Sequence, residues 1–141
     1  MTDPADRVEI LVDFANRFRE VPPEIAQRPF PQTHLVPACE SEAYVWGVLQ
    51  ADGTLTLHFA VESPSGVSAK ALAVILGRGL SGLRPDEIAA VSPDVVHDVF
   101  RANISMGKGL GLMSMVRAVQ IVAQQAARVP ADRPGPHVFP R

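Results

Sequence analysis

The chain predicts an α+β fold: a small antiparallel sheet of about three strands with helices packed mainly on one face. Three observations carry that reading. Two β-branched and aromatic runs, "AYVWGVL" and "TLTLHFAV", are joined by Ala51-Asp52-Gly53, and Asp-Gly between such runs signals a hairpin because the turn needs positive φ. Apolar residues recur at helical spacing before that hairpin and again near the C-terminus. The element order is therefore helix, antiparallel hairpin, several helices.

Each element has a local reason. Asp3 can cap the first helix, and Pro4 suits its first turn, where a missing N–H is no loss. Val8, Leu11, Val12, Ala15 and Phe18 then form one apolar face, which Pro22-Pro23 ends. A single turn fits Glu24 to Gln27 before Pro29 and Pro31 impose an extended path. In the second strand Leu55, Leu57, Phe59 and Val61 alternate with Thr54, Thr56 and His58, giving one buried and one wetter face. Pro64-Ser65-Gly66 breaks the pattern, and "VSAKALAVIL" resumes at helical period, closed by Gly77, Gly79 and Gly82. "RPDEIAAV" is a short helix with Pro85 at its start and two acids in its first turn. Ser92-Pro93-Asp94 opens another, "DVVHDVFRA". In "LGLMSMVRAVQIVAQQAARV" the residues Leu112, Met115, Val116, Val119, Val122, Ala123 and Ala126 make the stripe of the last long helix. Four prolines in the final "PADRPGPHVFPR" read as an unpacked tail, so residues 1–128 are expected to form one domain and residues 129–141 a disordered extension.

Composition narrows the function. At 141 residues the chain can bury a real core. A formal charge of −2 argues against general nucleic-acid binding, which rests on neutralising many phosphates. No run of 18 apolar residues exists to span a bilayer, and the acidic start "MTDPADRVEI" is not a secretory signal. One cysteine excludes an internal disulfide framework. A soluble, cytoplasmic protein with a reduced thiol is the expectation.

Two glycine-rich stretches do not bind nucleotides. "GRGLSG", from Gly77 to Gly82, follows a helix rather than a strand and reads as a helix end and turn. "GKGLG", from Gly107 to Gly111, lacks the hydroxyl residue after the lysine and the earlier glycine of a phosphate loop. It reads instead as a flexible helix entry carrying Lys108. His34, His58, His97 and His137 are scattered without metal-ligand spacing, so no resident metal is expected. No acid lies between Asp98 and Asp132, whereas Arg101, Lys108, Arg117 and Arg128 do. That segment is either a solvated basic face or a surface for an anionic group.

The candidate site is the lone Cys39, in "HLVPACESEA". It follows Pro37 in a loop just before the hairpin, a place suited to access. A thiolate is the reactive form and a nearby cation favours it. Glu40 and Glu42 carry the wrong sign, so a cation such as Lys108 would have to approach through space. Three roles are open to the thiol. A Cys–His hydrolase needs a base within reach, and His58 or His97 would have to supply it. An iron–sulfur scaffold needs several cysteines. A sulfur carrier needs only one mobile thiol and a dock for its donor, and demands least; a redox thiol protein is a further enzyme-like alternative.

The chain resembles the SufE family of cysteine-desulfurase partners from about Arg7 to Gln124. The resemblance lies in "FANRFREVP", "LVPACESEAYVW", the hairpin, "SGLRPDEI" and "ISMGKGLGLMSMVRA". It implies a SufE/NifU-like fold and a sulfur acceptor and carrier that is not itself an enzyme and needs no cofactor. Cys39 would take persulfide sulfur from a SufS-like, pyridoxal-phosphate-dependent cysteine desulfurase and stimulate it. The sulfur would then pass to a SufBCD-like complex for iron–sulfur cluster assembly. Among the supporting residues, Ser41 matches the family serine two positions after the cysteine. Glu62, in Glu62-Ser63-Pro64, stands where the family often reads Asp-Ser-Asp. Lys108 stands where the family often has arginine, keeping the charge without the bidentate fork. Glu40 departs from the family's usual glutamine, and Val45-Trp46 comes later after the cysteine than usual.

Overall fold

The computed structural model describes residues 4–64, 66–100, 106–130 and 137–139, with the side chains of residues 4, 5, 7 and 106–108 outside that description. The elements are α1 (Pro4–Asn16), β1 (Ala43–Leu49), β2 (Leu55–Val61), α2 (Val67–Leu80), α3 (Pro85–Ala89), α4 (Val95–Phe100), α5 (Met106–Ala127) and β3 (His137–Phe139). The sheet is antiparallel with strand order β2-β1-β3. This is the α+β architecture expected from the sequence.

The hairpin forms where the sequence places it. Gly53 sits at φ 87°, and Asp52 Oδ1 accepts hydrogen bonds from the Thr54 amide at 3.0 Å and hydroxyl at 2.6 Å. The register pairs Val45 with Phe59 and Gly47 with Leu57. Ala43, Val45 and Leu49 of β1 join Leu55, Leu57, Phe59 and Val61 of β2 in the main core, with α2 and α5 laid across that face. Gly47 lets α5 come close, because a Cβ there would lie 2.1 Å from Val122 Cγ1. α1 packs on α2, and α3 packs on α5.

The opposite face of β1 is also covered, which is why the whole strand is buried. Tyr44 and Trp46 point into a second cluster with Val21 and Phe30, contributed by the segment after α1. Phe30 stands edge-on to Trp46 at 5.2 Å between centroids, and His34 stacks on the same indole at 5.0 Å. Such contacts add about 0.5–1.5 kcal/mol each beyond the area they bury. The helices thus cover one face and an aromatic loop the other.

Three local expectations are corrected. α1 ends at Asn16 rather than at Pro22, because the chain leaves the helix to run along the sheet, where the Val21 amide donates to the Phe59 carbonyl at 2.9 Å. Gly77 and Gly79 lie inside α2; only Gly82 of that stretch takes positive φ, at 91°. The tail is not wholly unpacked, since His137–Phe139 pairs with Gly47–Leu49 of β1. A short strand set among prolines finds an otherwise unpaired sheet edge, and tertiary pairing overrides the local composition. The outer edge of β2 is blunted: Leu55 exchanges backbone bonds with Gly82 and Leu83, and the Leu57 amide donates to Ser81 Oγ at 3.0 Å. The expected Asp3 cap lies outside the described residues.

Candidate functional site

Residues 37–42 form a loop clipped at its base by the sheet. Leu35 bridges to Tyr44, and the Val36 amide donates to the Ala43 carbonyl at 2.8 Å. Inside the loop the Glu42 amide donates to the Cys39 carbonyl at 3.1 Å, closing a tight turn around the cysteine. Ala38 and Glu42 flank that turn at φ 57° and 50°, in the left-handed region that non-glycine residues seldom adopt. Each costs on the order of 1 kcal/mol, so the surrounding contacts must hold them there.

Those contacts come from three elements. The Glu62 amide donates to the Glu42 carbonyl and the Ser63 amide to the Ser41 carbonyl, both at 3.2 Å, extending the β1–β2 ladder into the loop. Gly66, just before α2, faces Ser41: a Cβ added there would lie 3.2 Å from Ser41 Cβ and 2.8 Å from Val61 Cγ1. Gly111, in the second turn of α5, backs the cysteine: a Cβ there would lie 3.3 Å from the Ala38 carbonyl oxygen and 3.6 Å from Cys39 Cα. Cys39 is half-buried, a free thiol packed against the edge of the main core. It is neither sealed inside nor fully displayed.

The site residues read from the sequence divide accordingly. Cys39 and Ser41 are neighbours in the loop. Glu62 reaches the loop through its backbone, while its carboxylate is held by Arg28, with Oε1 accepting from Nε at 3.0 Å and from Nη2 at 2.7 Å. Arg28 also bonds both oxygens of Glu20 and lies over the Phe30 ring at 4.9 Å. Its guanidinium is held far above the range in which it could lose a proton, first by Glu20 and then by Glu62. The Lys108 and Arg101 side chains lie outside the described residues, whereas Arg117 and Arg128 are exposed.

A histidine base for Cys39 has no counterpart among the described hydrogen bonds. His34 is buried, and its Nδ1–H donates to the Val45 carbonyl at 2.9 Å. Burial pushes its pKa below 6.5, opposed by that bond. His58 is half-buried in a hollow beside β2, and burial lowers its pKa as well. His97 is exposed on α4. Among the described residues no group of three or more His, Cys, Asp or Glu is placed to hold a metal ion, and no helix is long and apolar enough to cross a membrane.

Gly66, Gly111 and Arg28 are the parts of the site that sequence reasoning missed. The signal for Gly111 was present in "GKGLG", where a glycine persists beyond the helix entry; nothing local marks Arg28, whose partners lie 8 and 34 residues away.

Comparison with known proteins agrees with this architecture. The family model described as "SufE: Fe-S metabolism associated domain" matches residues 1–123. Among solved structures, the chain is similar to the solution structure of a hypothetical protein from Thermus thermophilus, with 20% identity over 92% of this chain and 89% of that one and a TM-score of 0.68. At that identity the likeness speaks for the fold. No curated protein matches the chain. With the cysteine loop, the whole hairpin and most of α5 inside the matched residues, the chain belongs to the SufE family of domains associated with Fe–S metabolism.

Proposed function

We propose that this protein is a sulfur acceptor and carrier for iron–sulfur cluster assembly, acting through a persulfide on Cys39. The observation that carries the reading is a single thiol held at half exposure. It sits on a turn clipped at its base and backed by glycine, in a chain of a family associated with Fe–S metabolism. Packing alone would not require a turn flanked by two left-handed residues, and a carrier thiol must be presented to two partners in succession.

The reaction is a thiol exchange. Cys39, as thiolate, attacks the outer sulfur of a persulfide on a SufS-like, pyridoxal-phosphate-dependent cysteine desulfurase. The S–S bond of the donor breaks, and its electron pair leaves on the donor's cysteine sulfur, which regains a proton. One S–S bond forms as one breaks, so no oxidant or reductant is consumed, and the rate follows thiolate fraction, leaving-group acidity and access. The same exchange in reverse roles passes the sulfur to a SufBCD-like assembly complex. Pyridoxal phosphate belongs to the partner. Emptying the donor frees it for another turnover, so the carrier activates the desulfurase without being an enzyme itself. Ser41 shapes the turn against Gly66, Glu62 anchors it through Glu42, and Lys108 supplies positive charge from the start of α5. We place this work in the cytoplasm, where the thiol stays reduced.

The test is sulfide release by a SufS-like desulfurase, measured with and without this protein. Wild type should accelerate turnover and Cys39→Ser should not. Equal stimulation by both would leave an adaptor with an inert thiol, and turnover of a substrate with no desulfurase present would favour a Cys–His hydrolase or redox enzyme.

A further inference from the structure

Beside the outer edge of β2 lies a hollow of about 170 Å³, bounded by the chain leaving α1 and the face of α2. Its apolar lining includes Phe18, Leu57 and Phe59, and its polar lining is Arg17, Arg19, Arg78 and His58, with no carboxylate among the lining residues. In a chain of net charge −2 this is a local reversal of sign. Arg17 has a single pairing, with Asp13 at 3.4 Å, while Arg19 and Arg78 have no carboxylate within ion-pair distance among the described residues.

The wall carries a second sign of design. Gly77 lines the hollow from within α2, where glycine costs about 1 kcal/mol relative to alanine. Packing does not ask for it, because an added Cβ would meet only Phe59 Cε1, at an ordinary 3.8 Å. What a side chain at Gly77 would take up is space at the hollow's wall. The volume is well below the 300–1,000 Å³ of a pocket for a drug-sized ligand, and it suits one small charged group. Guanidinium groups present planar donor forks that match oxyanions, and two with no carboxylate partner meet a doubly charged one.

We propose that this hollow binds a small tetrahedral dianion of the sulfate or phosphate class, with Arg19 and Arg78 as the principal ligands and His58 as a third, proton-dependent one. Cys39 does not line it, so the site stands apart from sulfur transfer. The groups facing His58 there are Arg17 and Arg19 from the chain leaving α1 and Arg78 from α2. All are cationic and none offers the imidazolium a counter-charge, while burial disfavours it when the hollow is empty. A bound dianion reverses that balance, so binding takes up a proton and tightens as pH falls.

Inorganic sulfate is the probe of choice, because it stays doubly charged throughout and leaves His58 as the group that titrates. The full chain is titrated with sodium sulfate against sodium chloride at matched ionic strength, following the His58 ring resonances. The expected result is a saturable response to sulfate alone, with Kd on the order of 1 mM and binding about three- to tenfold tighter at pH 5.5 than at pH 8. Arg19→Ala combined with Arg78→Ala should weaken it at least about tenfold. His58→Gln should leave residual binding, followed through the Arg19 and Arg78 side-chain resonances, with no pH dependence. Both sets of substitutions lie on exposed or half-exposed side chains, and retained amide dispersion verifies the fold. A non-saturating response, an equal response to chloride, or an unchanged midpoint in the double variant would overturn the proposal.

Discussion

Gly111 offers the sharpest test of how the cysteine loop is held. With alanine in its place the helix gains about 1 kcal/mol from propensity. The new carbon would sit 3.3 Å from the Ala38 carbonyl oxygen and 3.6 Å from Cys39 Cα, so the loop must yield by a few tenths of an ångström. The two effects nearly cancel, and Gly111→Ala should melt within about 3 °C of wild type. Valine differs. Its branches reach about 1.5 Å beyond Cβ, and β-branching removes most of the helical gain. Overpacking of this kind costs about 1–3 kcal/mol, or about 3–10 °C in a domain of this size, unless the loop swings away. The base of the loop is fixed at Val36 and Ala43, so relief must come from residues 37–42, and Cys39 would be carried outward. Thermal melts paired with iodoacetamide alkylation at fixed pH read both routes. Gly111→Val should lose stability in that range, alkylate Cys39 at least about threefold faster, or do both. A valine variant with wild-type melting and wild-type alkylation would show that the loop does not rest on α5.

Other consequences follow from the same contacts. Arg28→Ala removes the partner of the Glu62 carboxylate, and the Glu62 amide holds Glu42, so Cys39 alkylation at low salt should rise about two- to fivefold. The difference should shrink in 1 M salt, where exposed charges are screened; an unchanged rate would disconnect Arg28 from the loop. Gly47→Ala puts a carbon 2.1 Å from Val122 Cγ1 and should cost about 3 kcal/mol or more in urea melts, partly restored by adding Val122→Ala. Failure of the second change to rescue the first would dissociate the two positions. His34 and His58 are both held below their usual pKa of 6.5, so beneath that pH the unfolded chain binds more protons than the folded one. Their contribution is therefore complete above about pH 6.5 and drains away as pH falls toward their folded values. Urea melts between pH 7.5 and 5.5 should show that loss, and His34→Gln should flatten the slope; an identical slope in the variant would contradict the assignment.

The elements legible in the sequence were those with their own periodicity. The hairpin could be placed nearly residue for residue, because Asp52-Gly53 fixes the turn and alternation fixes the buried face of β2. The stripe from Leu112 to Ala126 likewise marked α5 and its buried side. What stayed hidden depends on contacts between distant segments. β3 is three residues among prolines, with no period to read, and exists because β1 has a second edge. The cover on Tyr44 and Trp46 comes from Phe30, set in a proline-rich run that carries no helical or strand pattern. At the site, the loop position of Cys39 was readable from Pro37 and the start of β1. The role of Glu62 was not: its match to a family carboxylate says nothing of the arginine that engages it. The glycines misread as helix ends, Gly77 and Gly79, show the same limit, since Gly82 alone needs its conformational freedom.

Intact-mass spectrometry of Cys39 addresses the central claim most directly. The protein is incubated with a SufS-like desulfurase and cysteine, then separated without reductant. Wild type should gain about 32 mass units, one sulfur atom, reversible by added thiol, while Cys39→Ser gains none. An unmodified wild-type chain beside a desulfurase that is turning over would contradict the account.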